Sequence, residues 1–258
     1  MTKENADQQA FPGNPPDDEL VSAREIIGDD DREHVDSEQP NPWHAVALLE
    51  ITRRDGSPSM GTGWYAAPRL IITAGHCVYE RHDPDPAACG WVKSITVTPA
   101  VNGDHVPYQS FNVTDVRTTE GWVNSGDLRT DYGALLLPEA AAPHPEPYKV
   151  QISDNQTLFS SEARIAGYPT DKPIGTLWEA RSPIKSADDF EIFYEIDTKA
   201  GESGAPVLQP SDNSMVVTGI HHWGASPNDP LNRGIRLTDD VYQNLKRWKQ
   251  ESEASGLA

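Results

Sequence analysis

Cysteine is nearly absent: Cys77 and Cys89 are the only two in 258 residues. A framework of several disulfides is excluded, which leaves either one bridge across a short loop or two free thiols. No Cys/His cluster has ligand spacing, so neither a metal nor another cofactor is expected. No run of eighteen apolar residues occurs, so no segment reads as a membrane-spanning helix. Basic residues are scarce as well. The formal net charge of −19 argues against nucleic acid and against an anionic membrane surface as partners. The opening Met1–Asp7 lacks the apolar segment of a secretory signal. That fits a protein kept inside the cell or a numbering that begins after a removed signal, and leaves localisation open.

Much of the negative charge is local. Residues 1–38 hold twelve acidic side chains against Lys3, Arg24 and Arg32, together with Pro12, Pro15 and Pro16 and few apolar residues. This is the composition of a solvated tail, or of a propeptide, over residues 1–25. The remaining 26–258 have ample material for a core.

From residue 43 the pattern is short apolar runs separated by Gly, Pro and Asp turns. Strands are expected at Trp43–Ile51, Gly61–Ala67, Leu70–Ala74, Ser94–Thr98, Phe111–Val116 and Tyr132–Leu137. A proline-rich crossing, Pro138 to Pro147, separates these from runs at Ala163–Tyr168, Gly175–Ala180, Glu191–Ile196, Val207–Leu208 and Met215–Ile220. Many short strands at regular spacing predict an all-β fold of barrels or a sandwich. One helix is expected at the end, with Thr238 as N-cap, Asp239 and Asp240 at its positive pole, and Val241, Leu245 and Trp248 on one face.

Three segments carry chemistry. In Gly201-Glu202-Ser203-Gly204-Ala205-Pro206 a serine lies between glycines. Glycine permits the sharp turn that aims main-chain N–H groups outward, so the Gly201 and Ser203 amides could hold an oxyanion. A serine hydroxyl is a weak nucleophile without a base and a group to orient that base. Thr73-Ala74-Gly75-His76-Cys77 and Thr130-Asp131-Tyr132-Gly133 supply candidates for both. His76 falls just past a strand, where a loop on a rigid scaffold can present it. The order His, Asp, Ser is not the Ser, Asp, His order of α/β-hydrolases.

With these motifs, and with Ile26-Ile27-Gly28-Asp29-Asp30 and Gly219-Ile220-His221, residues 25–250 resemble the trypsin-like serine peptidases. More narrowly the chain resembles the glutamyl endopeptidases of staphylococci and Bacillus. The resemblance implies two six-stranded antiparallel β-barrels with the active site between them and the C-terminal helix outside. The barrels would span about 40–140 and about 150–236, and the helix about 239–252. It implies a monomer acting on protein or peptide substrates, in a family that is mostly exported.

The implied site roles follow. Ser203 is the nucleophile, His76 the base, Asp131 its orienting acid, and Gly201 and Ser203 the oxyanion donors. His221 occupies the position that contacts a substrate carboxylate in the glutamyl branch, and Thr198, five residues before the nucleophile, assists it. Both point to cleavage after Glu or Asp. Asp197 competes with them, because trypsin-like enzymes that cut after Arg or Lys place an aspartate six residues before the serine. His222 beside the receptor reads as a packed or surface residue. Cys77 follows the histidine as in trypsin, yet the preceding strand offers it no partner, so Cys89 is the only candidate for a bridge. Cleavage after Arg24 or Glu25 would create an amino terminus near Ile26, which in the family helps to shape the pocket. Two other classes are a non-catalytic homologue that binds through the same cleft and a serine esterase using the same triad.

Overall fold

The computed structural model describes residues 26–36, 42–138, 144–212, 214–226 and 229–254. The acidic stretch 1–25 and the middle of the proline-rich crossing lie outside them.

The first half begins with a two-residue strand, β1 (Glu33–His34), and a 3-10 turn at Trp43–Ala45. It continues through β2 (Val46–Thr52), β3 (Pro58–Ala67) and β4 (Leu70–Thr73). A side ribbon of β5 (Tyr79–Glu80) and β6 (Gly90–Trp91) follows. Then come β7 (Ser94–Pro99), β8 (Phe111–Val113), β9 (Val116–Thr118), a short helix α1 (Glu120–Ser125) and β10 (Gly133–Leu136). Seven of these strands form one curled sheet in the order β8-β7-β2-β3-β4-β10-β9.

The second half holds β11 (Lys149–Val150), one helical turn α2 (Asn155–Leu158), β12 (Glu162–Gly167) and β13 (Trp178–Ala187). After these come β14 (Glu191–Tyr194), β15 (Pro206–Ser211), β16 (Ser214–Trp223), β17 (Asn232–Arg236) and the last helix α3 (Asp239–Ala254). Six strands run β13-β12-β15-β16-β17-β14, and pairing between β13 and β14 closes them into a barrel. The all-β, two-barrel architecture is therefore present. Main-chain pairing closes the second barrel, whereas the first is a curled sheet of seven strands.

The expected Phe111–Val116 strand divides in two. β8 pairs with β7, and after Val113 the chain crosses so that β9 pairs with β10. Local pattern cannot report that change of partner. The strand expected from Gly175 begins later, because Gly175 sits at φ +77° in a turn closed by Thr176 N–H to Pro173 C=O.

One apolar cluster runs from Leu49 and Trp64 in the first half to Tyr168 and Leu208 in the second, so the halves share a core. Helix α3 packs on β4 and β10 through buried Val241, Leu245 and Trp248. Each such side chain contributes about 1.5–3 kcal/mol on burial. Thr238 Oγ1 accepts the Val241 N–H at 3.3 Å, the expected cap.

Candidate active site

Two antiparallel strands bring His76 and Asp131 together. β4 ends at Thr73, and a 3-10 turn at Gly75–Cys77 carries His76. β10 places Gly133 opposite Thr73, so the chain entering β10 passes where β4 leaves. Asp131 sits at that entry, fully buried. Its Oδ2 lies 2.8 Å from His76 Nδ1, and its Oδ1 accepts the His76 main-chain N–H at 2.8 Å. A Cβ on residue 75 would come within 2.8 Å of Asp131 Oδ1, so this approach requires glycine. Burial disfavours both charges, and their mutual attraction outweighs it. Asp131 is held well below the usual carboxylate range, and His76 is raised above the ordinary imidazole value.

The serine loop is folded onto the same place. Gly201 and Gly204 have φ of +98° and +89°. A Cβ on Gly204 would lie 2.1 Å from Thr73 Oγ1, so the loop rests directly against the end of β4. Thr62 fastens it: its N–H donates to Ser203 C=O and its hydroxyl to Gly201 C=O, each at 2.8 Å. The Cys77 thiol, next to His76, faces Ser203 C=O at 3.7 Å. Ser203 Oγ is buried and makes no hydrogen bond among the described residues. The Gly201 and Ser203 N–H groups also donate none among them. Cys77 and Cys89 are both free thiols, and Cys89 turns instead to Arg81 C=O at 3.4 Å.

The residues expected to set selectivity are all buried, but they are engaged differently. His221 on β16 clasps the serine loop: its N–H donates to Ala205 C=O at 2.9 Å, and its C=O accepts Gly204 N–H at 2.7 Å. Its Nδ1 lies 2.8 Å from the Tyr194 hydroxyl. Thr198 Oγ1 is buried without a partner among the described residues. Asp197 is occupied. Its Oδ1 accepts Ile27 N–H at 2.7 Å and its Oδ2 accepts Asp31 N–H at 3.0 Å.

A family model for trypsin matches residues 34–246, most of the chain. The chain belongs to the trypsin family. It is a trypsin-family serine endopeptidase, a hydrolase. It is 32% identical to a glutamyl endopeptidase of Bacillus licheniformis, over 98% of this chain and 76% of that protein. It is also 32% identical to a Bacillus subtilis protein named extracellular metalloprotease, over 88% of this chain and 70% of that one. A solved Glu endopeptidase structure superposes with a TM-score of 0.72 at 26% identity, over 87% of this chain and 99% of the other. No group of three His, Cys, Asp or Glu side chains among the described residues is placed to hold a metal.

Trypsin-family motifs did not reveal three parts of the site. Tyr194 supports His221, and its position on a short apolar strand gave no signal of that. His222, expected as a packed or surface residue, has Nδ1 at 3.4 Å from Asp131 Oδ2 and Nε2 at 2.9 Å from Glu191 Oε1. Arg32, in the acidic opening, is buried behind the serine loop, bonded to Asp30 and Asp171. A lone arginine among acids was the available clue, and its partner Asp171 lies 139 positions away.

Proposed function

We propose that this trypsin-family chain cleaves peptide bonds after glutamate, using His76, Asp131 and Ser203 as its triad. Asp131 on Nδ1 selects the tautomer whose Nε2 is the base. Ser203 Oγ attacks the scissile carbonyl and its proton passes to His76. The Gly201 and Ser203 N–H groups receive the oxyanion, His76 returns the proton to the departing amine, and water then hydrolyses the acyl-enzyme. The absence of a Ser203 Oγ bond suits a site whose catalytic hydrogen bonds tighten only with substrate present.

The observation that carries the glutamate preference is the occupation of Asp197. Both of its oxygens accept main-chain N–H groups, and the residue is 2% exposed. That leaves a poor receptor for an arginine or lysine side chain. His221 offers an imidazole beside the serine loop, and Tyr194 orients it. Thr198 adds a hydroxyl. Imidazole and hydroxyl groups are sensible donors to a carboxylate. The glutamyl endopeptidase relatives point the same way. Cleavage after Arg24 or Glu25 would place a new terminus beside Ile27, already bonded to Asp197, and so next to the pocket.

Mass-spectrometric mapping of cleavage sites in a proteome-derived peptide mixture tests this, using full-length protein and protein starting at residue 26, with Ser203→Ala alongside. Cuts after Glu that vanish in Ser203→Ala are expected. Cuts after Arg or Lys would return the pocket to Asp197, and no cuts from either form would favour a non-catalytic binding homologue.

A further inference from the structure

Strand alternation turns His221 and His222 to opposite faces of β16. At His222 the pairing with β17 slips, from His221 opposite Gly234 to Trp223 opposite Arg233, which leaves residue 222 as an unpaired bulge. From there its fully buried ring reaches across to the other half of the molecule and to Asp131. The result is a line of four buried or largely buried groups: Glu191 Oε1 to His222 Nε2 at 2.9 Å, His222 Nδ1 to Asp131 Oδ2 at 3.4 Å, and the same Asp131 oxygen to His76 Nδ1 at 2.8 Å.

Both nitrogens of His222 face carboxylates. A neutral imidazole has a single N–H, so it would set a lone pair against one of them. Only the imidazolium presents an N–H to both: Nε2 bonds Glu191, while Nδ1 stands at ion-pair distance from Asp131, outside hydrogen-bond geometry. Among the other charged groups nearby, Arg233 Nη1 from β17 stands 3.8 Å from Glu191 Oε2, and Arg129, from the turn before Asp131, exerts its charge on Glu191. We propose that His222 is a positioning residue, held as an imidazolium between Glu191 and Asp131, and that it fixes the Asp131 carboxylate that orients His76. Burial works against its charge, and the attraction of Asp131 and Glu191 outweighs that, raising its affinity for the proton. As a second cation on Asp131, it weakens Asp131's hold on the His76 proton and so keeps His76 closer to neutrality.

The inference rests on the triad reading, and one set of measurements separates their failures. Nitrogen NMR of the histidine rings in Ser203→Ala protein should find both His222 nitrogens protonated at pH 8. A single tautomer there would overturn the proposal, with no altered packing to confuse the result. For catalysis, His222→Gln keeps one donor toward Asp131 and removes the charge. With a Glu-containing peptide it should lower kcat about ten-fold, the scale of one charge-assisted bond, and leave KM within about two-fold. The acid limb of its kcat/KM profile should move to higher pH, because the imidazolium no longer opposes protonation of His76. A purely structural role would change the folded fraction without moving that limb, and an unmoved limb overturns the proposal. Cleavage that persists in Ser203→Ala would instead remove the triad reading itself.

Discussion

Arg32 Nη1 stands 3.7 Å from Glu202 Oε2, which puts a buried guanidinium behind the residue that precedes Ser203. The guanidinium is shared: Asp30 and Asp171 take its bonds at 2.6–3.0 Å. Glu202 is the least well served of the three carboxyls. Complete burial pushes it up to about 8, against the bond from Lys199 N–H and the Arg32 charge.

That position gives stability a pH slope. The unfolded glutamate ionises near 4.5 and the folded one near 8. Between these values the unfolded chain gives up a proton that the folded chain keeps. The contribution is full below 4.5 and is lost as pH rises through 8. Glu202→Gln keeps an acceptor for Lys199 N–H and should flatten the slope. Urea unfolding at pH 5 and pH 8 in a Ser203→Ala background would read it, and equal slopes with and without Glu202→Gln would refute the assignment.

Asp197→Ala separates architecture from selectivity. It removes the acceptor of the half-buried Ile27 N–H and of the Asp31 N–H, at about 0.5–1.5 kcal/mol each. The unfolding midpoint should fall clearly, while cuts after Glu persist in the material that remains folded. Loss of a cleavage preference for Arg or Lys, with unchanged stability, would show that Asp197 is a substrate receptor after all.

His221→Ala should reduce kcat/KM for a Glu substrate by about 1.5–3 kcal/mol, the worth of a hydrogen bond to a charged group. Relative activity toward a Gln analogue should improve. Tyr194→Phe removes only the orienting hydroxyl and should cost about 0.5–1.5 kcal/mol. Steady-state kinetics on the matched peptide pair checks both, and equal losses on the two peptides would exclude His221 as the carboxylate receptor.

Gly28 and Gly204 share a φ of +89° in different surroundings. A Cβ on Gly28 meets nothing within 4 Å, while one on Gly204 lies 2.1 Å from Thr73 Oγ1 and 2.3 Å from Thr62 C=O. Gly28→Ala should cost backbone strain alone, about 1–3 kcal/mol. Gly204→Ala adds a steric term of about 1–3 kcal/mol or more, and should also displace Ser203 and abolish cleavage. Comparable stability in the two variants would contradict the close contact.

Activity requires His76 neutral, and His76 is raised above the ordinary imidazole value. The acid limb of kcat/KM should therefore lie above pH 6.5. Asp131→Asn removes the main cause of the rise, so its limb should move down while the rate falls by about 10⁴. A limb at ordinary histidine pH in the unsubstituted enzyme would count against the tight pair.

The sequence by itself determined the β architecture, because short alternating apolar runs with Gly and Pro turns fit little else. It also determined the three segments of the candidate triad, since a serine between glycines and a histidine just past a strand are local features. The last helix was equally legible from its cap and its i, i+4, i+7 face. Tertiary structure alone decided what Asp197 does. Its partners at Ile27 and Asp31 lie 170 and 166 positions away, and no local pattern says whether a buried carboxylate meets substrate or main chain. It likewise decided that β9 leaves β8 to pair with β10, and that the thiols of Cys77 and Cys89 turn to different carbonyls. A bulge in β16 turned His222 toward Asp131. Each of these depends on which strand lies beside which, and pairing over such distances follows from the whole core rather than from neighbouring residues.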